Sequence, residues 1–277
     1  GASMGLDERP IVILGAGYTG RHLFALATAQ GMPTLAGSRS PETHLTSIPI
    51  SQRLRFDLAQ PQTWVNVPDR ARIVWCFPAA PVSLVQDFAG HVVPRLDRLV
   101  VLGSTSAYDR KGQGDTAPLI DEDAPLDLTL PRVCGEEYLR ANCRATILHS
   151  AGIYGPGRHP LDWIRRGRVT ASPRYVNLIH VLDLAGICLA ALERGRAGVA
   201  YNVSDGQPRQ WAEICRIAQQ RWGVTPLDRA PAGRAATGPG KRLSIARLKM
   251  ELGYAFRHPD LYEALDAIEA CHKPEGL

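Results

Sequence analysis

No run of apolar residues in this chain approaches the ~20 that a membrane-spanning helix requires, so a spanning segment is excluded as a reading of the sequence. Cysteine is sparse and unpatterned. Cys76, Cys134, Cys143, Cys188, Cys215 and Cys271 form no CxxC pair, and none stands beside a histidine at ligand spacing. Neither a zinc site nor a disulfide framework is indicated, no metal is expected, and the six read as packed free thiols. Lysine is scarcer still, at positions 111, 241, 249 and 273, so the net charge of +5 rests on arginine. The arginines are dispersed rather than gathered into an aromatic-interleaved stripe. That argues against a nucleic-acid surface despite a pI near 9.0, and an anionic small ligand accounts for them as well. The first three residues, Gly1-Ala2-Ser3, read as an addition ahead of a natural start at Met4, with no charged–apolar–small signal pattern after it. The expectation is a cytoplasmic protein with a small-molecule substrate and no nucleic-acid or membrane partner.

What the chain does have is a rhythm of short apolar runs. Ile11-Val12-Ile13-Leu14 is wholly apolar, β-branched and ended by glycine, as a strand buried on both faces reads. A helix is expected from Tyr18 to Gln30, with Leu23, Leu26 and Ala27 at helical spacing and Gly31 as its stop. Comparable runs recur at 34–36, 54–56, 73–77, 99–102 and 146–148, several of them separated by helix-length intervals. This pattern predicts an α/β fold, a Rossmann doubly wound parallel sheet. Past residue 150 glycine and proline cluster at 155–157 and 160. An isolated apolar helix is expected at 180–192, a strand at 198–203, a helix from Trp211 to Trp222, and a loop over 230–240. The expected division is a dinucleotide-binding unit at 8–152 plus 176–203, and a smaller substrate lobe at 153–175 plus 204–277.

Gly15-Ala16-Gly17-Tyr18-Thr19-Gly20 fits GxGxxG directly after a strand and at the start of a helix, the context the motif needs. Its three glycines serve a tight turn, close backbone approach to a pyrophosphate, and helix-on-strand packing. All of these residues except Ala16 are taken as cofactor contacts. An acidic residue ending the second strand would suit an NAD ribose, but this chain has Gly37-Ser38-Arg39-Ser40. A guanidinium flanked by hydroxyls suits a 2′-phosphate, so Ser38 and Arg39 point to NADP rather than NAD, although a solvated arginine would read the same way. Asp57, after the third strand, either accepts from the adenine amino group or caps the following turn.

The glycine motif, Ser104-Thr105-Ser106-Ala107-Tyr108, Gly152-Ile153-Tyr154-Gly155-Pro156-Gly157-Arg158, Ile179-His180-Val181-Leu182-Asp183-Leu184-Ala185 and Tyr201-Asn202-Val203-Ser204-Asp205-Gly206 together resemble the NAD-dependent epimerase/dehydratase family, the extended or atypical short-chain dehydrogenase/reductases. The resemblance runs along nearly the whole chain. It implies a nicotinamide cofactor, oxidoreductase or epimerase chemistry and a possible homodimer. It places Ser104 as the hydroxyl that meets the substrate oxygen, and with Thr105 and Ser106 where the family's dehydratases carry acidic residues, elimination is disfavoured. The family's YxxxK pair is missing: the matching register puts Leu128 at the tyrosine and Arg132 at the lysine. Arg132 can bind a ribose or phosphate, but a permanently charged guanidinium beside a leucine cannot shuttle a proton. Three readings stay open. Another acid serves, with Tyr108, Cys134 and His180 as candidates; the substrate needs no protein acid; or the chain is a non-catalytic NADP(H)-binding, redox-sensing protein. Arg158, Lys241 and Arg242 either meet an anionic substrate group or stand as solvated surface charges.

Overall fold

The structure is a computed structural model that describes residues 9–108, 116–227 and 238–271. Seven strands form its central sheet: β1 (Ile11–Leu14), β2 (Thr34–Ser38), β3 (Arg53–Arg55), β4 (Arg72–Trp75), β5 (Arg98–Ser104), β6 (Thr146–Ser150) and β7 (Ala200–Val203). They lie in the order β7-β6-β5-β4-β1-β2-β3, every pair parallel. The chain therefore runs outward one way from β1 to β3 and the other way from β4 to β7, so the direction of winding reverses between β1 and β4. In an open parallel sheet that reversal leaves a crevice at the carboxyl ends of the two strands.

The fully apolar strands are explained by helices on both faces. Ile11 and Ile13 join Leu23 and Ala27 of α1 (Tyr18–Ala29) and Leu184 and Cys188 of a helix at Val181–Arg194. Val12, Leu14 and Trp75 join Val85 and Phe88 of α2 (Val82–Val92) and Leu139 of α3 (Pro131–Cys143). The helix that reads as isolated in the sequence, numbered α4 (Val181–Arg194), is in fact a layer of the sheet packed beside α1, which is why nine of its residues are buried.

A separate apolar cluster gathers Tyr154, Leu161, Leu178 and Ile164 with Ile214 of α5 (Trp211–Trp222) and Leu261 and Leu265 of a helix at Leu261–Cys271. Two-residue and three-residue ribbons tie the segments together: Gly152–Tyr154 with Leu178–His180, Tyr175–Val176 with Arg209–Gln210, and Leu119–Ile120 with Arg242–Leu243. The segment 230–240, expected to be a loop, lies outside the described residues except for its last three, as do residues 1–8. Among the described residues no helix is long and apolar enough to cross a membrane.

Candidate active site

The turn after β1 sits at the crevice. The amides of Gly15 and Ala16 donate to the Gly37 carbonyl at 3.0 and 3.1 Å, which fastens the turn to the end of β2. Gly15 has φ +78°, and a Cβ there would also meet the Phe77 side chain at 3.0 Å. At Gly20 a Cβ would press on Ile13 at 3.1 Å, so this glycine serves helix-on-strand contact. Gly17 differs from both: a Cβ would meet nothing within 4 Å. Its protein neighbours do not require glycine, and the space it leaves belongs to the groove. Gly17 is the N-cap of α1, without a side-chain cap and with no acidic residue in the first turn, so the amides of that turn face the crevice with their partial positive charge uncompensated. Thr19 is buried in this turn.

One arm of the groove, a cleft of about 740 Å³, runs over Arg21, Ser38, Arg39, His44, Phe56 and Asp57. Ser38 ends β2 buried, its Oγ 2.8 Å from His44 Nδ1 and accepting from the Ser40 amide at 3.1 Å. Arg39 is exposed on the rim. Asp57 Oδ1 accepts from the Ala59 amide at 2.9 Å, the turn-capping geometry, while the residue also lines the cleft. Arg21 and His44 were not singled out in the sequence. Neither stands in the glycine motif or at the strand end, and folding brings both to this wall.

The other arm, about 350 Å³, shares Gly15, Gly17 and Phe77 with the first and continues past Tyr18 and Ser104 to Ser106, Arg132, Glu136 and Arg158. Ser104 ends β5. Its Oγ accepts from the Ser106 amide at 3.1 Å and lies 2.8 Å from Ser106 Oγ, which accepts from Arg132 Nη2 at 2.7 Å. The expected hydroxyl and guanidinium therefore meet in one chain of polar contacts. Arg132 Nη1 is buried with no hydrogen-bond partner, and so is Glu136 Oε1 one helical turn further on. Burial pushes the Glu136 carboxyl up to about 7, against the opposing pull of Arg132. Glu136 is not among the site residues read from the sequence. A helical glutamate reads as a solvated face, and nothing local signals that this one is only 3% exposed.

The three candidate acids fare differently. Tyr108 is buried, its hydroxyl bound to Asn202 Oδ1 and its ring against His149, and it does not line the cleft. Burial, followed by the charge of Glu122, holds its phenol above the ordinary range, so it is a packing residue in this geometry. His180 caps α4, Nδ1 accepting from the Leu182 amide at 3.0 Å, and stacks on His258. Burial lowers its pKa to about 4. Cys134 Sγ lies 3.0 Å from the Leu128 carbonyl. Leu128, in the tyrosine register, is 62% exposed.

Tyr18 is turned across the groove: its hydroxyl donates to the Pro156 carbonyl at 2.9 Å, and the Arg158 guanidinium lies 4.1 Å above its ring. Arg158 is thus held at the cleft rather than loose on the surface. Lys241 is buried at 9% exposure, against its reading as a solvated charge, because the ribbon from Leu119 to Leu243 carries it inward. Arg242 remains exposed, donating to the Ala117 carbonyl at 3.1 Å.

No family model matches the chain. In sequence it is similar to Protein YeeZ of Escherichia coli K12, 29% identical over 190 residues, 64% of this chain and 64% of that protein. The match thus spans less than two thirds of the relative. A solved structure of a candidate NAD-dependent epimerase/dehydratase from Methylobacillus flagellatus superposes with a TM-score of 0.75 at 29% identity, over 96% of this chain and 99% of that one. WbmG of Bordetella bronchiseptica, solved in complex with NAD and again with NAD and UDP, superposes at 0.74 with 17% identity over 97% and 96% of the two chains. At that identity the likeness is one of fold.

Proposed function

From the fold that the chain shares with NAD-dependent epimerase/dehydratase and short-chain dehydrogenase/reductase structures, we propose that it is an NADP-dependent oxidoreductase or epimerase-like enzyme acting on a small polar or sugar-derived substrate. One observation carries the reading. A glycine turn at the reversal point of the sheet opens into a single groove with a basic wall at one end and a hydroxyl–guanidinium chain at the other.

The residues present fit a dinucleotide, since Gly17 leaves room where a side chain would stand in the groove and the first turn of α1 offers uncompensated amides for a pyrophosphate. In this reading Gly15, Gly17, Thr19 and Gly20 cradle the pyrophosphate, and Arg39 holds a 2′-phosphate with Ser38 and Arg21 beside it. Asp57 meets the adenine edge. A bound nicotinamide supplies a hydride donor or acceptor. Ser104 orients the reacting oxygen, Ser106 and Arg132 hold Ser104 in place and present a cation to ribose or phosphate, and Arg158 meets an anionic substrate group. Binding without turnover is disfavoured, because it would need none of the polar chain beyond the dinucleotide's own contacts.

The test is a fluorescence titration with NADPH and with NADH, in wild type and in Arg39→Ala. Tight NADPH binding that Arg39→Ala weakens supports the reading and opens a substrate screen. Tighter binding of NADH removes the NADP preference, and failure of both cofactors removes the enzyme reading.

A further inference from the structure

Glu136 is buried beneath the end of β5 in the same cleft arm as Ser104, Ser106 and Arg132. Two glycines make its position possible. At Gly103 a Cβ would stand 2.7 Å from Glu136 Oε1, so the residue before Ser104 lacks a side chain where the carboxyl sits. At Gly135 a Cβ would stand 1.7 Å from the Ala79 carbonyl, so α3 closes directly on the loop after β4 and carries its next residue, Glu136, under the strand. The carboxyl is unmatched there: Oε1 has no hydrogen-bond partner, and Arg132 on the next turn has its own orphan, Nη1. A buried carboxylate oxygen without a donor is costly, whereas a neutral carboxyl that hands its proton to a ligand is not. The groups that face it are Arg132 and Glu137 on its own helix, with Arg158 reaching the cleft from the Gly155–Arg158 turn. Among the described residues the other groups are poorer proton sources: Leu128 has no acid, Tyr108 lies outside the cleft, the guanidinium of Arg132 holds its proton, the Tyr18 hydroxyl donates to the Pro156 carbonyl, and burial pushes the Cys76 thiol up to about 12.

We propose that Glu136 is the proton-exchanging catalytic residue of this cleft, a neutral carboxyl that gives its proton to the substrate oxygen held at Ser104 during reduction of a carbonyl. The inference rests on the proposed nicotinamide reading. In the reducing direction the carbonyl carbon gains hydride from NADPH, which leaves as NADP⁺. The C=O π bond breaks, the oxygen takes the Glu136 proton, and Glu136 is left as a carboxylate that water reprotonates. In the oxidising direction the carboxylate accepts the alcohol proton as hydride departs to NADP⁺.

Infrared difference spectroscopy decides the matter on the folded, NADPH-titrated protein. Burial pushes two carboxyls up to about 7, Glu136 and Asp205, so the protonated-carboxyl stretch that titrates near 7 in wild type is expected to lose the Glu136 share in Glu136→Gln, to keep the Asp205 share, and to be unchanged in Glu137→Gln, whose carboxylate is occupied by Arg140. NADPH affinity is expected to stay within about twofold in Glu136→Gln, while reduction of pyridine-3-carboxaldehyde as probe falls about 100-fold and loses its decline above pH 7. Failure of wild type to bind either NADPH or NADH overturns the nicotinamide reading and this inference together. NADPH binding with no carboxyl band lost between wild type and Glu136→Gln, or with unchanged probe rate and pH profile in Glu136→Gln, overturns the inference alone. Should the probe not turn over, the infrared titration decides by itself.

Discussion

The two ends of the groove solve opposite problems with charge. At the Arg39 end the guanidinium is exposed and hydrated, and the hydroxyl beside it, Ser38, has its partners in His44 and the Ser40 amide. At the Glu136 end a carboxyl oxygen and a guanidinium nitrogen are buried and unpaired. The exposed wall costs the fold almost nothing, so its side chains can be exchanged with an effect confined to the ligand. The buried wall is held in place by close backbone approach, and altering it disturbs stability, titration and ligand together.

Gly135→Ala breaks the buried wall most severely. Its Cβ would overlap the Ala79 carbonyl, backbone that has no rotamer by which to yield, so α3 must move off the loop after β4. A loss of about 3 kcal/mol is expected by urea unfolding, as for an overpacked core. Gly17→Ala, whose Cβ meets nothing, should leave stability within about 1 kcal/mol and weaken only dinucleotide binding.

Glu136→Gln comes next, and it reads the buried charge directly. A carboxyl raised to about 7 in the folded chain, from the ordinary 4.5, binds more protons folded than unfolded between those values. Its contribution to stability is therefore complete below about 4.5 and is lost as pH rises through 7, by at most roughly 3 kcal/mol. Glutamine cannot ionise, so the stability of the variant relative to wild type should rise between pH 4.5 and 8. Parallel curves across that range would mean the carboxyl is not held neutral.

Arg39→Ala, on the exposed wall, should weaken NADPH by about 2 kcal/mol, near 30-fold, as one charge-assisted phosphate contact is lost. NADH affinity and the unfolding midpoint should be unchanged. Equal loss for both cofactors would show that Arg39 contacts something other than a 2′-phosphate.

The two walls also differ in how far the sequence discloses them. Strand β1, the helix Trp211–Trp222 and the glycine turn follow from local apolar period and punctuation, and they stand where the sequence places them. Arg39 needs only the end of β2. The relation of Ser104 to Arg132 is visible solely through an ordered-motif resemblance, because their 28-residue separation is closed by tertiary contact through Ser106. Glu136 stays hidden altogether, since its burial is produced by Gly103 on a strand and Gly135 on a helix, two omissions of a side chain that mean nothing until the elements are docked. The short ribbons and Lys241 escape for the same reason: pairings of two residues carry no period.

The smallest effect belongs to a contact within the Ser104 arm of the groove. Arg158→Ala removes a guanidinium 4.1 Å above the Tyr18 ring and leaves the Tyr18 hydrogen bond to the Pro156 carbonyl in place. A part-exposed cation–π pair is worth about 0.5–1 kcal/mol, so thermal unfolding should move by roughly 1–3 °C. The same variant separates structural from ligand-directed roles. If Arg158 serves the rim alone, NADPH affinity and probe turnover follow the small loss of stability. If it meets an anionic substrate group, KM for an anionic substrate rises about tenfold or more, as expected for a lost charge-assisted contact, while NADPH binding, to which the proposed reading gives Arg158 no contact, is untouched.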